Sequence, residues 1–331
     1  MIISRTPFRI SLFGGGTDFP LFFREHGGAV ISGTMNQYCY LSIHRLAPLF
    51  KHRYRASYSR TESVLHPREF QHPLIRETLL MFEPQEGLEI AHVADLPGRT
   101  GLGSSSSFTV GLLNALHAFH KRPTTPEELA RQAIEIERER VGDAGGWQDQ
   151  YAAAFGGFRR IDFHRDGTVH SRPLPLPASR LRELEDSLML FYMGTDTSAT
   201  EILQEQNRRH ADNQTALLTT LQLVNQAEAI LLGHSPLADL GELLHDAWML
   251  KRSFASGISN PAIDTAYEAA RQAGAIGGKL LGAGGRGFIC LFVATDRQPA
   301  VRQALAPLQE VPFRFSAEGS QIVFASDAPT P

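Results

Sequence analysis

The chain has 331 residues, of which 42% are hydrophobic and 20% are charged, and its formal net charge is −3. This length predicts a large buried core and about two domains. A nearly neutral chain has no long-range field for nucleic acid or an anionic membrane, so neither is an expected partner. The N-terminus lacks a signal-peptide core, and no apolar run reaches the ~18 residues that span a bilayer, which predicts a cytoplasmic protein.

The first half of the chain reads as strands followed by helices. Strands are predicted over Ile2–Phe13, 29–44 and 88–93, with a strand and a solvated loop within 51–60. Apolar spacing predicts a helix over 105–119. A second helix begins at Pro126, capped by Thr124 or Thr125, and runs towards Val141. A short helix that ends before Gly156 and a hairpin turn at 166–167 follow.

The proline-rich segment 174–178 predicts the boundary between two domains, residues 1–178 and 179–331. Strands are predicted over 187–193, 288–294 and 321–325. Helices are predicted over 201–232, 238–254, 263–273 and 299–306. Residues 327–331 are expected to form a frayed tail.

The most informative segment is the glycine- and serine-rich run 97–107, between a predicted strand and a predicted helix. We call it the phosphate loop. Glycines let backbone N–H groups approach an anion, and the helix that follows adds unpaired donors and the positive end of its dipole. A serine-capped helix after a glycine turn is the alternative, but four consecutive serines exceed what capping needs. A Walker A loop does not fit, because Leu280 follows Gly278-Lys279.

Three ordered segments resemble the GHMP kinases, the superfamily of galactokinase, homoserine kinase, mevalonate kinase and phosphomevalonate kinase. Residues 97–105 match the family's P-x-x-x-G-L-G-S-S loop, 7–18 are similar to its first motif, and 278–287 are similar to its C-terminal glycine motif. The resemblance implies an α+β fold with a ribosomal protein S5 domain 2-like N-terminal domain and a ferredoxin-like C-terminal domain. It also implies ATP as co-substrate and Mg²⁺ as cofactor.

The resemblance implies the following site residues. The ATP-binding residues are Pro97, Gly98, Gly101, Leu102, Gly103, Ser104, Ser105 and Ser106. Asp149 is similar to the family's catalytic base, with helix capping as the alternative. Arg9 matches the basic residue that acts on this base electrostatically. Glu137, twelve residues before Asp149, and Ser105 are the implied magnesium ligands, and a surface glutamate is the alternative for Glu137.

Within the family, the segments GGGTDFP, GGWQDQ and GISNPAID look most like the D-glycero-D-manno-heptose 7-phosphate kinases. These enzymes phosphorylate the C1 hydroxyl and give the 1,7-bisphosphate for the activated heptose of surface polysaccharide. The implied substrate-binding residues are Gly15, Gly16, Thr17, Asp18, Gly282, Ala283, Gly284 and Gly285. Lys251 and Arg252 are candidates for the remote phosphate, and cations that satisfy a helix end are the alternative.

One residue departs from the family pattern, since Arg286 interrupts the glycine motif. A positive φ there would cost about 1 kcal/mol or more. The side chain then points either into the site, as a phosphate contact, or to solvent.

Other functions stay open at this point. They are another GHMP sugar kinase of the fucokinase or galactokinase type, a non-catalytic sugar sensor, and a decarboxylase of the same fold. The expected partners are a small sugar phosphate and ATP, and the oligomeric state stays open, a homodimer included.

Overall fold

The computed structural model describes residues 1–194 and 199–326, and within these ranges the chain forms two β-sheets and eleven α-helices. The strands are β1 (Ile2–Phe13), β2 (Gly28–Arg45), β3 (Tyr54–Ser57), β4 (Thr61–Val64), β5 (Leu88–Ala94), β6 (Phe158–Phe163), β7 (Val169–Pro173), β8 (Leu188–Tyr192), β9 (Ala275–Leu280), β10 (Phe288–Val293), β11 (Gln309–Glu310) and β12 (Gln321–Ala325). The helices are α1 (Pro20–His26), α2 (Pro73–Phe82), α3 (Ser104–Phe119), α4 (Pro126–Ile134), α5 (Gln148–Phe155), α6 (Ala178–Ser187), α7 (Ala199–Arg208), α8 (His210–Leu232), α9 (Ala238–Arg252), α10 (Pro261–Gln272) and α11 (Gln298–Ala304).

The larger sheet contains eight strands, in the order β12-β1-β2-β5-β3-β4, with β6 and β7 extending it beside β2. Strand β2 is 18 residues long and pairs with β6 through its first part and with β5 through its last part. Helices α3 and α5 pack on β1 and β2, so the buried side chains of this sheet form the main core. The loops that follow β1 and β5 therefore emerge close to the first turn of α3.

The smaller sheet contains four antiparallel strands, in the order β11-β8-β10-β9. Trp248 of α9 and Tyr267 of α10 are almost fully buried in the core beside it. Strand β10 is buried along its whole length because helices and neighbouring strands enclose it. This arrangement holds the turn between β9 and β10, which is the glycine motif, rigidly in place.

Most predicted elements are present with small shifts at their ends. The helix predicted over 201–232 is wrong as a single element, because α7 ends at Arg208 and α8 begins at His210. The helix that begins at Pro126 is capped by Thr125 and changes to a π-helix over Glu135–Arg140. The sequence analysis did not predict α1, α2, α6, β4, β9 or β11. The predicted tail, residues 327–331, lies outside the described residues.

The chain returns to its starting sheet at the end. Strand β12 pairs antiparallel with β1, so residues 321–325 belong to the larger sheet although they follow the smaller one in sequence. The division into 1–178 and 179–331 stays a prediction, and this strand crosses it. Across the described ranges, the helices are all too short or too polar to traverse a lipid bilayer.

Candidate active site

The phosphate loop connects β5 to α3 and lies directly against the glycine motif. Gly101 and Gly103 have φ of +79° and +74°, a conformation that favours glycine. A Cβ on Gly282 would lie 2.3 Å from the Cα of Gly101, so only glycines allow the two loops to touch. The first-turn N–H groups of α3 have no intrahelical acceptors, and no described side chain caps them. The loop thus presents backbone donors and a helix N-terminus, as an anion site requires.

Arg9 joins the predicted base to this loop. Its Nε and Nη2 donate to the two carboxylate oxygens of Asp149, each at 2.7 Å, and its Nη1 donates to the carbonyl of Gly101. A bidentate pair of this kind fixes the orientation of both groups. Asp149 lies in the first turn of α5, so the pair links β1, α5 and the phosphate loop. The two residues that sequence analysis assigned to catalysis are therefore in direct contact.

Asp18 is a second carboxylate in the same cavity, and it is 1% exposed. It accepts hydrogen bonds from the backbone N–H of Gly16 (3.0 Å) and from the backbone and side chain of Gln148 (3.2 and 3.1 Å). Burial, and then the nearby charge of Asp149, raise the pKa of Asp18. Gly146 packs so closely that a Cβ there would lie 2.0 Å from Asp18 Oδ2. The GGWQDQ segment thus holds both carboxylates in place.

Glu137 is fully buried within the π-helix. Its Oε2 accepts hydrogen bonds from Ser106 Oγ (2.9 Å) and Gln150 Nε2 (2.7 Å), whereas Ser105 Oγ is 3.5 Å away. The other oxygen, Oε1, is buried without a hydrogen-bond partner in the described chain. Burial raises the pKa of Glu137, and the charge of Arg138 opposes this shift.

These oxygen donors fit a magnesium ion. An unpartnered carboxylate oxygen and two serine hydroxyls are the hard ligands that Mg²⁺ prefers, and it keeps most of its other positions for water and phosphate. Residues 1–194 and 199–326 contain no cluster of three or more His, Cys, Asp or Glu side chains that could hold a metal. Ser106 is closer to Glu137 than Ser105, the ligand that the sequence implied.

Arg9, Asp18, Asp149 and the phosphate-loop serines line a cavity of about 370 Å³, and Glu137 lies buried behind Ser106. The basic lining residues of the cavity are Arg9, Arg99, Arg138, Lys251, Lys279 and Arg286. Its acidic lining residues are Asp18, Asp143 and Asp149. The cavity is therefore rich in positive charge although the whole chain carries a formal charge of −3. Local groups, as the composition required, are available to bind anionic ligands.

Several predicted residues lie away from the cavity surface. Those outside the lining are Pro97, Gly98, Leu102, Glu137, Thr17, Gly285 and Arg252. The Thr17 hydroxyl donates to the carbonyls of Gly14 and Ala29, which gives it a structural contact. Arg252 forms an ion pair of 2.9 Å with Asp264 and lies over the Trp248 ring. The structure therefore brings Lys251 to the cavity but not Arg252.

Arg286 resolves the question that its position raised. Its φ is not positive, since the non-glycine residues with positive φ in the described ranges are Glu83, Arg99 and Lys121. Arg286 therefore has no backbone strain of this kind to offset. Its side chain is exposed and lies at the cavity.

The cavity residues that the sequence analysis did not assign include Arg138, Gln148 and Lys279. Arg138 donates from Nε and Nη2 to the carbonyl of Gly146 (3.1 and 2.8 Å) and from Nη1 to Asp143 (2.9 Å). Gln148 could have been found, because it adjoins Asp149 in the GGWQDQ segment. Lys279 lies in the segment 278–287 and Arg138 adjoins Glu137, but the sequence analysis assigned neither of them a role.

Comparison with known proteins agrees with this geometry. The GHMP kinases N terminal domain matches residues 73–157, and the GHMP kinases C terminal domain matches residues 227–310. The chain is 29% identical to D-glycero-alpha-D-manno-heptose 7-phosphate kinase of Campylobacter jejuni, over 96% of this chain and 97% of that protein.

Two solved structures are also similar. One is a D-glycero-D-manno-heptose 1-phosphate kinase from Bacteroides thetaiotaomicron, with a TM-score of 0.80 and 26% identity, covering 99% of this chain and 100% of that one. The other is Lactococcus lactis galactokinase complexed with galactose, with a TM-score of 0.74 and 18% identity over 97% and 94% of the two chains. The second likeness concerns the fold alone.

Proposed function

This chain belongs to the GHMP kinases, and on that premise we propose that it transfers the γ-phosphoryl group of ATP to the C1 hydroxyl of D-glycero-D-manno-heptose 7-phosphate. The product would be the 1,7-bisphosphate, which serves the synthesis of activated heptose for surface polysaccharide. The observation that carries the proposal is the bidentate Arg9–Asp149 pair, which lies against the phosphate loop and shares one cavity with Asp18. We also propose that the enzyme works in the cytoplasm.

The side chains divide the chemistry among them. Asp149 accepts the proton of the attacking hydroxyl, and the bidentate contact with Arg9 orients this carboxylate. Asp18 accepts a hydrogen bond from another sugar hydroxyl and so orients the acceptor. The loop of Gly101, Gly103 and Ser104 to Ser106, with the N-terminus of α3, binds the phosphates of ATP. Phosphoryl transfer needs little more than such positioning and charge stabilisation.

Glu137, with Ser106 and Ser105, would hold the magnesium ion. When bound, Mg²⁺ neutralises charge on the phosphate oxygens. The unpartnered Oε1 of Glu137 supports this role, because a buried carboxylate oxygen without a partner is costly. The full set of Asp149, Arg9, Glu137 and Ser106 also argues against a sensor that only binds its ligands.

The acceptor is proposed to be a sugar phosphate because the cavity has twice as many basic as acidic lining residues. The names of the two similar proteins agree on a heptose phosphate but differ in the position of the phosphate, one at carbon 7 and the other at carbon 1. Both proteins are similar along nearly their whole length, and the slightly higher identity of the Campylobacter protein, 29% against 26%, favours heptose 7-phosphate.

The test is ATP consumption by the purified chain with five acceptors: heptose 7-phosphate, heptose 1-phosphate, fucose, galactose and mevalonate. We expect heptose 7-phosphate to give the highest kcat/KM, and a product whose new phosphate is acid-labile, as an anomeric phosphate is. Preference for an unphosphorylated sugar would instead indicate a kinase of the fucokinase or galactokinase type. If none of the five acceptors supported ATP consumption, the proposed substrate class would be contradicted.

A further inference from the structure

Two of the four lysines in the chain lie in the active-site cavity, at positions 251 and 279. The other 28 basic residues that make up the total of 32 are arginines, so lysine is the exception here. An ammonium group differs from a guanidinium in presenting its charge at a single compact point with three donors. Two such groups in one cavity form a small, concentrated cationic surface.

Lys279 projects from β9 and is 5% exposed. Its Nζ donates one hydrogen bond, to the carbonyl of Leu12 on β1, at 3.0 Å. The charged groups that face it are Arg9 and Asp18, and the Cys290 thiol of β10 faces it as well. No carboxylate in the described chain lies within ion-pair distance of this ammonium. Two of its three donors therefore remain for a ligand in the cavity.

Lys251 comes from the last turn of α9 and also lines the cavity. Its Nζ donates to the carbonyls of Leu280 (2.7 Å) and Gly282 (2.6 Å), which anchor it to the residues that follow Lys279. Burial, and then the positive charges of Lys279 and Arg9, lower the pKa of Lys251 well below its ordinary value. The structure thus concentrates three basic side chains, Arg9, Lys251 and Lys279, and only Arg9 is paired with a bidentate carboxylate.

We infer that Lys251 and Lys279 together bind the phosphate that the acceptor sugar already carries. The inference rests on the proposed function, because it presupposes a phosphorylated acceptor. Buried like charges without a counter-ion are costly, and a dianionic ligand removes that cost.

The position of Lys279 favours the acceptor over ATP. Lys279 bonds to Leu12 and faces Asp18, and both residues belong to the segment that enters the acceptor side of the cavity. The nucleotide side already has the donors of the phosphate loop, which include Ser104 to Ser106. Arg252 is held by Asp264, so it is not the second member of the pair.

The test compares kcat/KM for heptose 7-phosphate and for unphosphorylated heptose, together with the KM for ATP. In the double variant Lys251→Met/Lys279→Met we expect the preference for the phosphorylated sugar to fall on the order of 10²-fold, the scale of two charge-assisted hydrogen bonds. The KM for ATP and kcat/KM for free heptose should change less than about threefold on the same scale. Lys51→Met removes an exposed lysine outside the cavity and is the matched control.

Single Lys279→Gln and Lys251→Gln variants, and the affinity for heptose 7-phosphate measured by calorimetry without ATP, keep the test valid if the double variant folds poorly. An equal loss of kcat/KM with both sugars would overturn the inference. It would indicate that the lysines act as counter-charges for Asp18 and do not bind the phosphate of the sugar. A rise confined to the KM for ATP would overturn it too, by assigning the lysines to the nucleotide. If the wild type used both sugars equally, the proposed function would fail first, whatever the variants did.

Discussion

The two ends of the cavity are built in different ways. The phosphate loop is one contiguous segment, and its donors are backbone N–H groups that glycine conformations and the start of α3 put in place. The acceptor end is assembled from separate segments, which contribute Asp18, Arg138, Asp149, Lys251 and Lys279. Its binding groups are side chains. We therefore expect substitutions in the phosphate loop to act through backbone conformation, and substitutions at the acceptor end to act through single charged groups.

The largest effect is expected from one atom at the acceptor end. Asp149→Asn should lower kcat about 10²-fold or more, because the hydroxyl loses its general base while the amide keeps the shape of the carboxylate. The affinity for ATP, which the contiguous loop supplies, should stay near that of the wild type. Steady-state kinetics and nucleotide binding measure the two quantities separately.

Asp166→Asn, in the exposed hairpin turn between β6 and β7, is the matched control for that substitution. Wild-type turnover in a folded Asp149→Asn protein would remove Asp149 from the mechanism. A parallel loss of ATP affinity would break the contrast between the two ends.

The residues proposed to hold magnesium, of which Ser105 and Ser106 belong to the phosphate loop, should give an intermediate effect. Glu137→Gln and Ser106→Ala should each raise the magnesium concentration for half-maximal activity about tenfold or more, the scale of a disturbed metal ligand set. Ser105→Ala should have the smaller effect, because Ser105 Oγ is 3.5 Å from Glu137 and Ser106 Oγ is 2.9 Å away. Activity titrated with Mg²⁺ ranks the three variants, and a larger effect at Ser105 would reverse our assignment.

The phosphate loop should be sensitive to backbone change. Gly101→Ala forces a Cβ to within 2.7 Å of the Leu281 carbonyl at a φ of +79°. A left-handed conformation alone costs a non-glycine residue about 1–2 kcal/mol. We expect Gly101→Ala to lose more stability than this and to raise the KM for ATP. Gly167→Ala shares the positive φ without any neighbour within 4 Å, so it isolates the conformational cost. Thermal unfolding compares them, and equal losses would mean that the contact with the glycine motif is unimportant.

The smallest expected effect is a pH dependence of kcat/KM for the acceptor sugar that the KM for ATP does not share. Burial lowers the pKa of Lys279 from its ordinary 10.5 to about 8, so its ammonium is charged below pH 8 and loses its proton above it. The value of kcat/KM for heptose 7-phosphate should therefore fall severalfold between about pH 7 and 9, whereas the KM for ATP should change less. Lys279→Arg keeps its charge and should flatten the profile. An unchanged alkaline fall in that variant would assign it to another group.

Local patterns were enough to locate most of the fold and the nucleotide end of the site. Strands β1, β2, β5 and β12 and helix α3 follow from periodicity within one short window, and the phosphate loop is recognisable because its donors are adjacent in sequence. The resemblance to the GHMP kinases implied roles for Asp149, Arg9 and Glu137, and these roles stay predictions. It could not give the contacts, such as the 2.7 Å pair of Arg9 and Asp149.

The contacts between groups that are far apart in sequence depend on tertiary packing. The π-helix over Glu135–Arg140 brings the adjacent residues Glu137 and Arg138 both into the site, although neighbours on a regular helix diverge. Arg252 is diverted to Asp264, and Lys279 enters the cavity because β9 pairs with β10 in one particular register. Periodicity fixes the face of an element on which a residue lies. The partner across that face depends on how elements far apart in sequence pack, which no local pattern encodes.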